Sequence, residues 1–236
     1  AQGVTVTVTA VDDALDDSDQ SCSVQTVVGS TDSSYAGIAA ADVSVTVQDD
    51  GDTASVLVAS TVLTVSEPAS SATYTVVLTS EPTAAVTLSI APASQQCRAS
   101  AALVFTSNNW QQPQVVTVTA HDDAIVDGDR PCPLQTTASS VDTTYAGIAV
   151  AVVHGTVRDD GDSAGVTITP STLLLSEPTS TATFLVALTS EPTATVTVEF
   201  TSDDPGECQA PGKLTVDATT WLAGAPVTVM AVDDAL

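Results

Sequence analysis

Positive charge is nearly missing from this sequence: Arg98, Arg130, Arg158 and Lys213 stand against 29 Asp and Glu residues, for a formal net charge of −25. Nucleic-acid binding is excluded on that ground, because neutralising a phosphate backbone needs clustered cations. Long apolar runs are also missing. The longest, residues 148–153, falls far short of the ~20 residues that a membrane-spanning helix needs, and no signal-peptide pattern opens the chain. Aromatic residues are only 3 % of the whole and histidine occurs twice, as His121 and His154. No Ser, Cys or carboxylate arrangement recurs around either histidine, so neither a nucleophilic nor an acid–base site is expected and the chain reads as no enzyme.

What fills the chain instead is Val, Thr, Ala and Ser, within a hydrophobic fraction of 43 %. β-Branched residues suit a pleated surface and are mediocre helix formers. The 236 residues are enough for one large or two ordinary domains. A charge this negative can signal disorder, but here it sits in short Asp clusters between regularly alternating strands, which is the pattern of a folded protein with acidic loops.

The chain repeats itself at about 110 residues. Ser66-Glu67-Pro68 returns as Ser176-Glu177-Pro178, Tyr35-Ala36-Gly37-Ile38 as Tyr145-Ala146-Gly147-Ile148, and Asp49-Asp50-Gly51-Asp52 as Asp159-Asp160-Gly161-Asp162. After one inserted residue Trp110 pairs with Trp221 and Cys97 with Cys208. This register divides the chain into the last part of one module (residues 1–52), a complete module (53–162) and the first part of a third (163–236). Residues 1–15 match 222–236, so the chain spans two periods plus an overlap. Either the array continues in the same polypeptide, which the overlap favours, or successive chains complete each other's modules. Further copies of the same repeat, in one chain or as a homopolymer, are thus the expected partners.

Within residues 53–162 the alternation predicts strands at 55–59, 61–66, 72–79, 85–90, 102–106, 114–120, 134–139 and 148–157. Seven or eight short strands in that length predict an all-β fold, a tandem of antiparallel β-sandwiches of immunoglobulin-like size. The Asp-Asp-Gly-Asp segments lie at the module boundaries with too little length to be loose linkers, so close-coupled neighbours are expected.

Each alternating Val-Thr strand runs out into an acidic loop. The fullest copy is Asp122-Asp123-Ala124-Ile125-Val126-Asp127-Gly128-Asp129, repeated as Asp12-Asp13-Ala14-Leu15-Asp16-Asp17-Ser18-Asp19 and Asp233-Asp234-Ala235-Leu236. Like charges this dense repel unless water, salt or a cation neutralises them. Ca²⁺ takes six to eight oxygen ligands from carboxylates and carbonyls on loops, and no Cys/His set of the zinc type is present. The spacing is not that of an EF-hand. Asp-rich turns also form and solubilise a surface without any metal.

The order of these motifs, an early Val65-Ser66-Glu67, the Val-Thr-Val-Thr-Ala strand with its Asp-Asp and Asp-x-Asp, and a final strand running into Asp159-Asp160-Gly161-Asp162, resembles the Calx-beta domain family. The resemblance implies an immunoglobulin-like sandwich with Ca²⁺ held at one end. Carried onto this sequence, it implies Glu67, Asp122, Asp123, Asp127, Asp129, Asp159, Asp160 and Asp162 as ligands. The repeat adds Asp12, Asp13, Asp17, Asp19, Asp49, Asp50, Asp52, Glu177, Asp233 and Asp234. The family also places an acidic residue in a middle loop, where the complete module has Ser94-Gln95-Gln96-Cys97-Arg98; Asp203 and Asp204 are assigned that place in the third module.

Four cysteines at regular places and almost no lysine suggest an oxidising setting, extracellular or at a cell surface. Cys97, read as lying in a loop, and Cys132, just beyond the acidic loop, occupy the same end of the module and are predicted to form a disulfide. Cys22 and Cys208 hold the equivalent positions in the partial modules and are expected to pair outside the chain or with each other's copies. Ser/Thr/Pro-rich loops leave O-linked glycans open, whereas no Asn-x-Ser/Thr sequon exists. The reading of function is a structural repeat of an extracellular stalk, fibre or filament with calcium-rigidified joints. The alternative is a cell-surface adhesin or glycan-binding repeat, whose specificity would sit in the differing middle loops 91–100 and 200–210. Trp110 and Trp221 read as plugs at the sandwich end, and the alternating threonines as a solvent-facing strand surface.

Overall fold

The computed structural model describes residues 3–233 and contains strands, turns and extended segments, with no helix among them. Residues 53–162 hold nine strands: β3 (Val56–Val58), β4 (Val62–Ser66), β5 (Ser71–Leu78), β6 (Val86–Pro92), β7 (Cys97–Ala99), β8 (Leu103–Phe105), β9 (Gln114–Ala120), β10 (Arg130–Ser139) and β11 (Val153–Arg158). They form two sheets, in the orders β4-β11-β10-β6-β8 and β3-β5-β9-β7. The alternation dictates the layering, since successive side chains on a strand point to opposite faces. Tyr74, Val76 and Leu78 of β5 and Val116, Val118 and Ala120 of β9 point inward, against Leu63, Val65, Val86, Leu88, Leu134, Val153 and Val157 of the other sheet. The result is the β-sandwich expected, with antiparallel pairing throughout except between β4 and β11, which run parallel.

Three local expectations need correction. Cys97–Ala99, read as loop, is a short edge strand paired with Val118–Ala120 of β9; the Arg and polar neighbours there hide a strand whose only inward residue of consequence is the cysteine. Residues 148–152 do not join β11; their apolar alternation instead packs Ile148 and Val150 against the core from outside the ladder. β10 begins at Arg130 rather than 134, because residues 130–134 pair with β11 despite the prolines at 131 and 133. The disulfide Cys97–Cys132 is present and ties the two sheets together. The buried Tyr145 closes the opposite end, its hydroxyl donating to the Ser80 carbonyl and accepting from the Ser80 amide, with Ser80 Oγ at 2.8 Å. Asp142 beside it accepts from the amides of Thr83 and Thr144. Trp110 lies half-buried against the core, and its carbonyl accepts from Leu78.

On either side the strands correspond to parts of this sandwich. β1 (Gln20–Val24) and β2 (Val43–Val47) make a two-stranded antiparallel sheet. After residue 163, β12 (Val166–Thr169), β13 (Thr181–Leu188), β17 (Ala225–Ala231) and β15 (Cys208–Gln209) form one sheet in that order, matching β3-β5-β9-β7 strand for strand. β14 (Val196–Glu199) pairs with β16 (Lys213–Val216), as β6 does with β8. Residues 172–176, the counterpart of β4, carry no strand. β4 exists through its parallel ladder with β11, and no counterpart of β11 lies among residues 163–233.

Candidate metal centre

The parallel pairing of β4 with β11 builds the site. Two parallel strands leave a sheet on the same side, so the residues that follow them sit next to each other. Arg158 pairs with Ser66, and one step on the Glu67 amide donates to the Arg158 carbonyl at 3.0 Å. Glu67, Asp159 and Asp160 therefore converge, with one carboxylate oxygen from each within 4.8 Å of the others. β9 delivers the acidic loop to the same place: the Ala120 amide donates to Ser70 and the His121 amide to Gln96. The Gln96 side chain in turn donates to Asp123 Oδ2.

The electrostatics record the crowding. Burial and then the charges of Asp123, Asp159, Asp160 and Asp122 push Glu67 up from 4.5 to about 7. Asp162 is likewise raised, by desolvation first and then by Asp160, Asp159, Asp122 and Asp123. Asp159 Oδ1 is buried and accepts no hydrogen bond, although a buried acceptor is normally satisfied. An all-oxygen set, mutually repelling and with an orphaned carboxylate oxygen, fits a hard divalent cation such as Ca²⁺. Glu67, Asp159 and Asp160 would hold it, with Asp122, Asp123 and Asp162 adding negative charge around it; the ion would neutralise the repulsion and tie the loop ends together.

The other expected ligands divide. Asp127 is paired with Arg130 at 2.8 Å, and Asp129 does not join the carboxylate group within 4.8 Å. At the first boundary Asp13 accepts from Leu15, Asp19 from Asp49 and Asp49 from Gly51. Asp52 there is raised by desolvation first and then by Asp50, Asp49, Asp12 and Asp13, which is the Asp162 pattern repeated. Asp17 and Asp50 are exposed. Near Glu177 the bonds that place the loop recur, Ala231 donating to Ser180 and Val232 to Glu207, so exposed Asp233 follows as Asp122 does. Asp234 lies outside the described residues.

Several contributors were not picked out by motif. The Glu191 amide donates to the Ala124 carbonyl, and the Glu81 amide to Ala14: the same bond at both boundaries, each time from a Ser-Glu-Pro turn to the alanine after Asp-Asp. Its signal was the common repeat of both segments. Asp16, whose counterpart is Val126, caps the Ala54 amide at 2.8 Å. In the third unit Glu207, rather than Asp203 or Asp204, takes the place of Gln96, while Asp204 caps the turn before it through the Gly206 amide. The register that pairs Cys97 with Cys208 carries that equivalence, one residue before each cysteine.

No family model and no curated protein matches the chain. Among solved structures it is similar to CBD12 from CALX1.2 at 17 % identity, over 73 % of this chain and 74 % of that one, with a TM-score of 0.32. CBD12 of CALX1.1 gives 18 %, the same coverages and 0.30. The periplasmic chaperone SfaE gives 9 % over 45 % of this chain and 58 % of its own length, with 0.34. Likeness at this level says nothing about activity.

Proposed function

We propose that this chain is a tandem Calx-beta-like structural repeat of an extracellular stalk, fibre or filament, with joints stiffened by Ca²⁺. The observation that carries the reading is the position of the acidic group. Glu67, Asp159 and Asp160 converge where the sandwich ends, next to the loop whose Ala124 carbonyl is bonded to the following unit through Glu191. Half-buried Ile125 and the adjoining Val126 line a cleft with Leu188, Pro192 and Val196 of that unit. Cation binding would therefore act on the segment that couples one unit to the next. Removing the ion leaves repelling carboxylates at a hinge, and any ligand that binds only the ordered joint stabilises it by mass action. The disulfide supports an oxidising compartment.

Small-angle scattering and thermal melting with calcium and with chelator test this. Chelation is expected to lower the melting temperature and to increase the spread of inter-unit angles. Identical melting and scattering in both conditions would remove calcium from the account.

A further inference from the structure

Both unit boundaries are built from the same pieces. An aspartate turn opens each acidic loop, the Leu15 amide donating to Asp13 Oδ1 at 3.1 Å and the Ile125 amide to Asp123 Oδ1 at 3.0 Å. The alanine inside each turn is bonded to the Ser-Glu-Pro turn of the following unit: Ala14 accepts from the Glu81 amide at 2.7 Å, and Ala124 from the Glu191 amide at 2.8 Å. A threonine hydroxyl in front of that turn donates to the segment entering the unit, Thr79 to the Thr53 carbonyl and Thr189 to the Ser163 carbonyl, both at 2.6 Å. The two copies diverge at the next loop residue. Asp16 Oδ2 accepts from the Ala54 amide at 2.8 Å. Its counterpart Val126 has no acceptor on its side chain, is 49 % exposed, and lines one cleft with Ala164, the counterpart of Ala54.

We infer that the two boundaries are mechanically unequal: Asp16 latches the first at a second point, and the second, without that latch, is the pivot about which the chain bends. One hydrogen bond between two bodies fixes a point and leaves rotation about it. A further bond to a different segment removes that rotation, and the two bonds of the first loop do reach different segments, Ala54 before β3 and Glu81 after β5. A bond to an ionised carboxylate is also about twice as strong as a neutral one, and Asp16 and Ala54 are both half-buried.

The first loop keeps a conformation that it would not choose alone. Ser18 stands at φ 61° where the second loop has Gly128 at 68°, and a residue with a side chain rarely adopts that region. Such a conformation persists where its surroundings hold it. Here the Asp16 bond acts from one side, and from the other Gln20 Nε2 donates to the Asp17 and Ser18 carbonyls at 2.8 and 3.3 Å. Gly128 adopts the region without such a hold. Asp16 also adds a like charge to a loop that already carries Asp12, Asp13, Asp17 and Asp19, and the bond to Ala54 offsets that repulsion. None of these contacts involves a cation, so the test is run in chelator and its outcome stands apart from that of the calcium reading.

The 236-residue chain and three variants are compared in chelator at neutral pH by amide hydrogen exchange, followed residue by residue by NMR, and by small-angle scattering. Asp16→Val gives the first boundary the residue of the second. It should speed exchange at Ala54 about tenfold, as expected for one charge-assisted bond at a partly exposed site, and broaden the distribution of overall dimensions. Asp16→Asn removes the charge but keeps an acceptor oxygen, so it should retain most of the protection at Ala54. Val126→Asp supplies the missing acceptor and should slow exchange at Ala164 about tenfold while narrowing the distribution. Unchanged exchange at Ala54 in Asp16→Val, equal losses in Asp16→Val and Asp16→Asn, or no gain at Ala164 in Val126→Asp would each overturn the inference.

Discussion

Replacing Glu67 with Gln should have opposite effects with and without calcium. Glu67 is held at about 7 instead of 4.5, by desolvation and then by Asp123, Asp159, Asp160 and Asp122. Each pKa unit corresponds to about 1.4 kcal/mol, which sets an upper bound of roughly 3 kcal/mol; solvent screening of a partly exposed carboxylate reduces it to about 1 kcal/mol. The sign follows from proton binding. Between 4.5 and 7 the folded chain keeps a proton that the unfolded chain has lost, so metal-free stability falls as pH rises through that window. In chelator at pH about 8, Glu67→Gln should therefore melt about 4 °C above the parent, and the gain should shrink toward the unfolded value of 4.5. In millimolar calcium the order should reverse, because the variant loses a charged ligand while the parent gains binding energy. Scanning calorimetry of both proteins in both buffers is the assay. A variant no more stable than the parent in chelator would refute the repulsion argument; equal calcium stabilisation of both would refute Glu67 as a ligand.

Cys97→Ala with Cys132→Ala opens a link across 35 residues, and loop-closure entropy sets the loss at about 4 kcal/mol; urea titration of the oxidised parent and the double variant measures it. Tyr145→Phe removes the hydroxyl that serves buried Ser80, at a cost of about 1–3 kcal/mol, read by thermal melting together with faster amide exchange at Ser80. Burial acts to raise Asp142, but bonds from Thr144 and Thr83 outweigh it and hold the carboxyl below 3.8. Its stabilisation is present above that value and is lost as pH falls through the lower folded one. Asp142→Asn should flatten this acid limb and cost about 1–3 kcal/mol at neutral pH, checked by melting temperature against pH.

Much of the sandwich was legible because its strands obey a period of two with almost no exceptions. Residues 114–120 were delimited from Val-Thr alternation alone, since a strand with one face in a core must alternate. Failures came where the inward face was short or was not a ladder. Cys97–Ala99 buries only its cysteine among its three residues, and residues 148–152 alternate without pairing. The site was legible as chemistry more than as geometry. Glu67, Asp159 and Asp160 were among the expected ligands and do meet, but Asp127 was indistinguishable in sequence from its neighbours and turned instead to Arg130.

By itself, the sequence determined the all-β class, the recurrence of segments about 110 residues apart, the cysteine pair Cys97 and Cys132 and the set of carboxylates from which a cation site could be drawn. These follow from local alternation and from self-similarity, both properties of the chain read in order. Only the tertiary structure decided that β4 and β11 run parallel, and that choice brings Glu67 beside Asp159 and Asp160 across most of a module. Among the described residues it also left β1–β2 as a separate pair and residues 172–176 outside any strand. Strand partners far apart in sequence are selected by burial of the whole sheet, which no local pattern records.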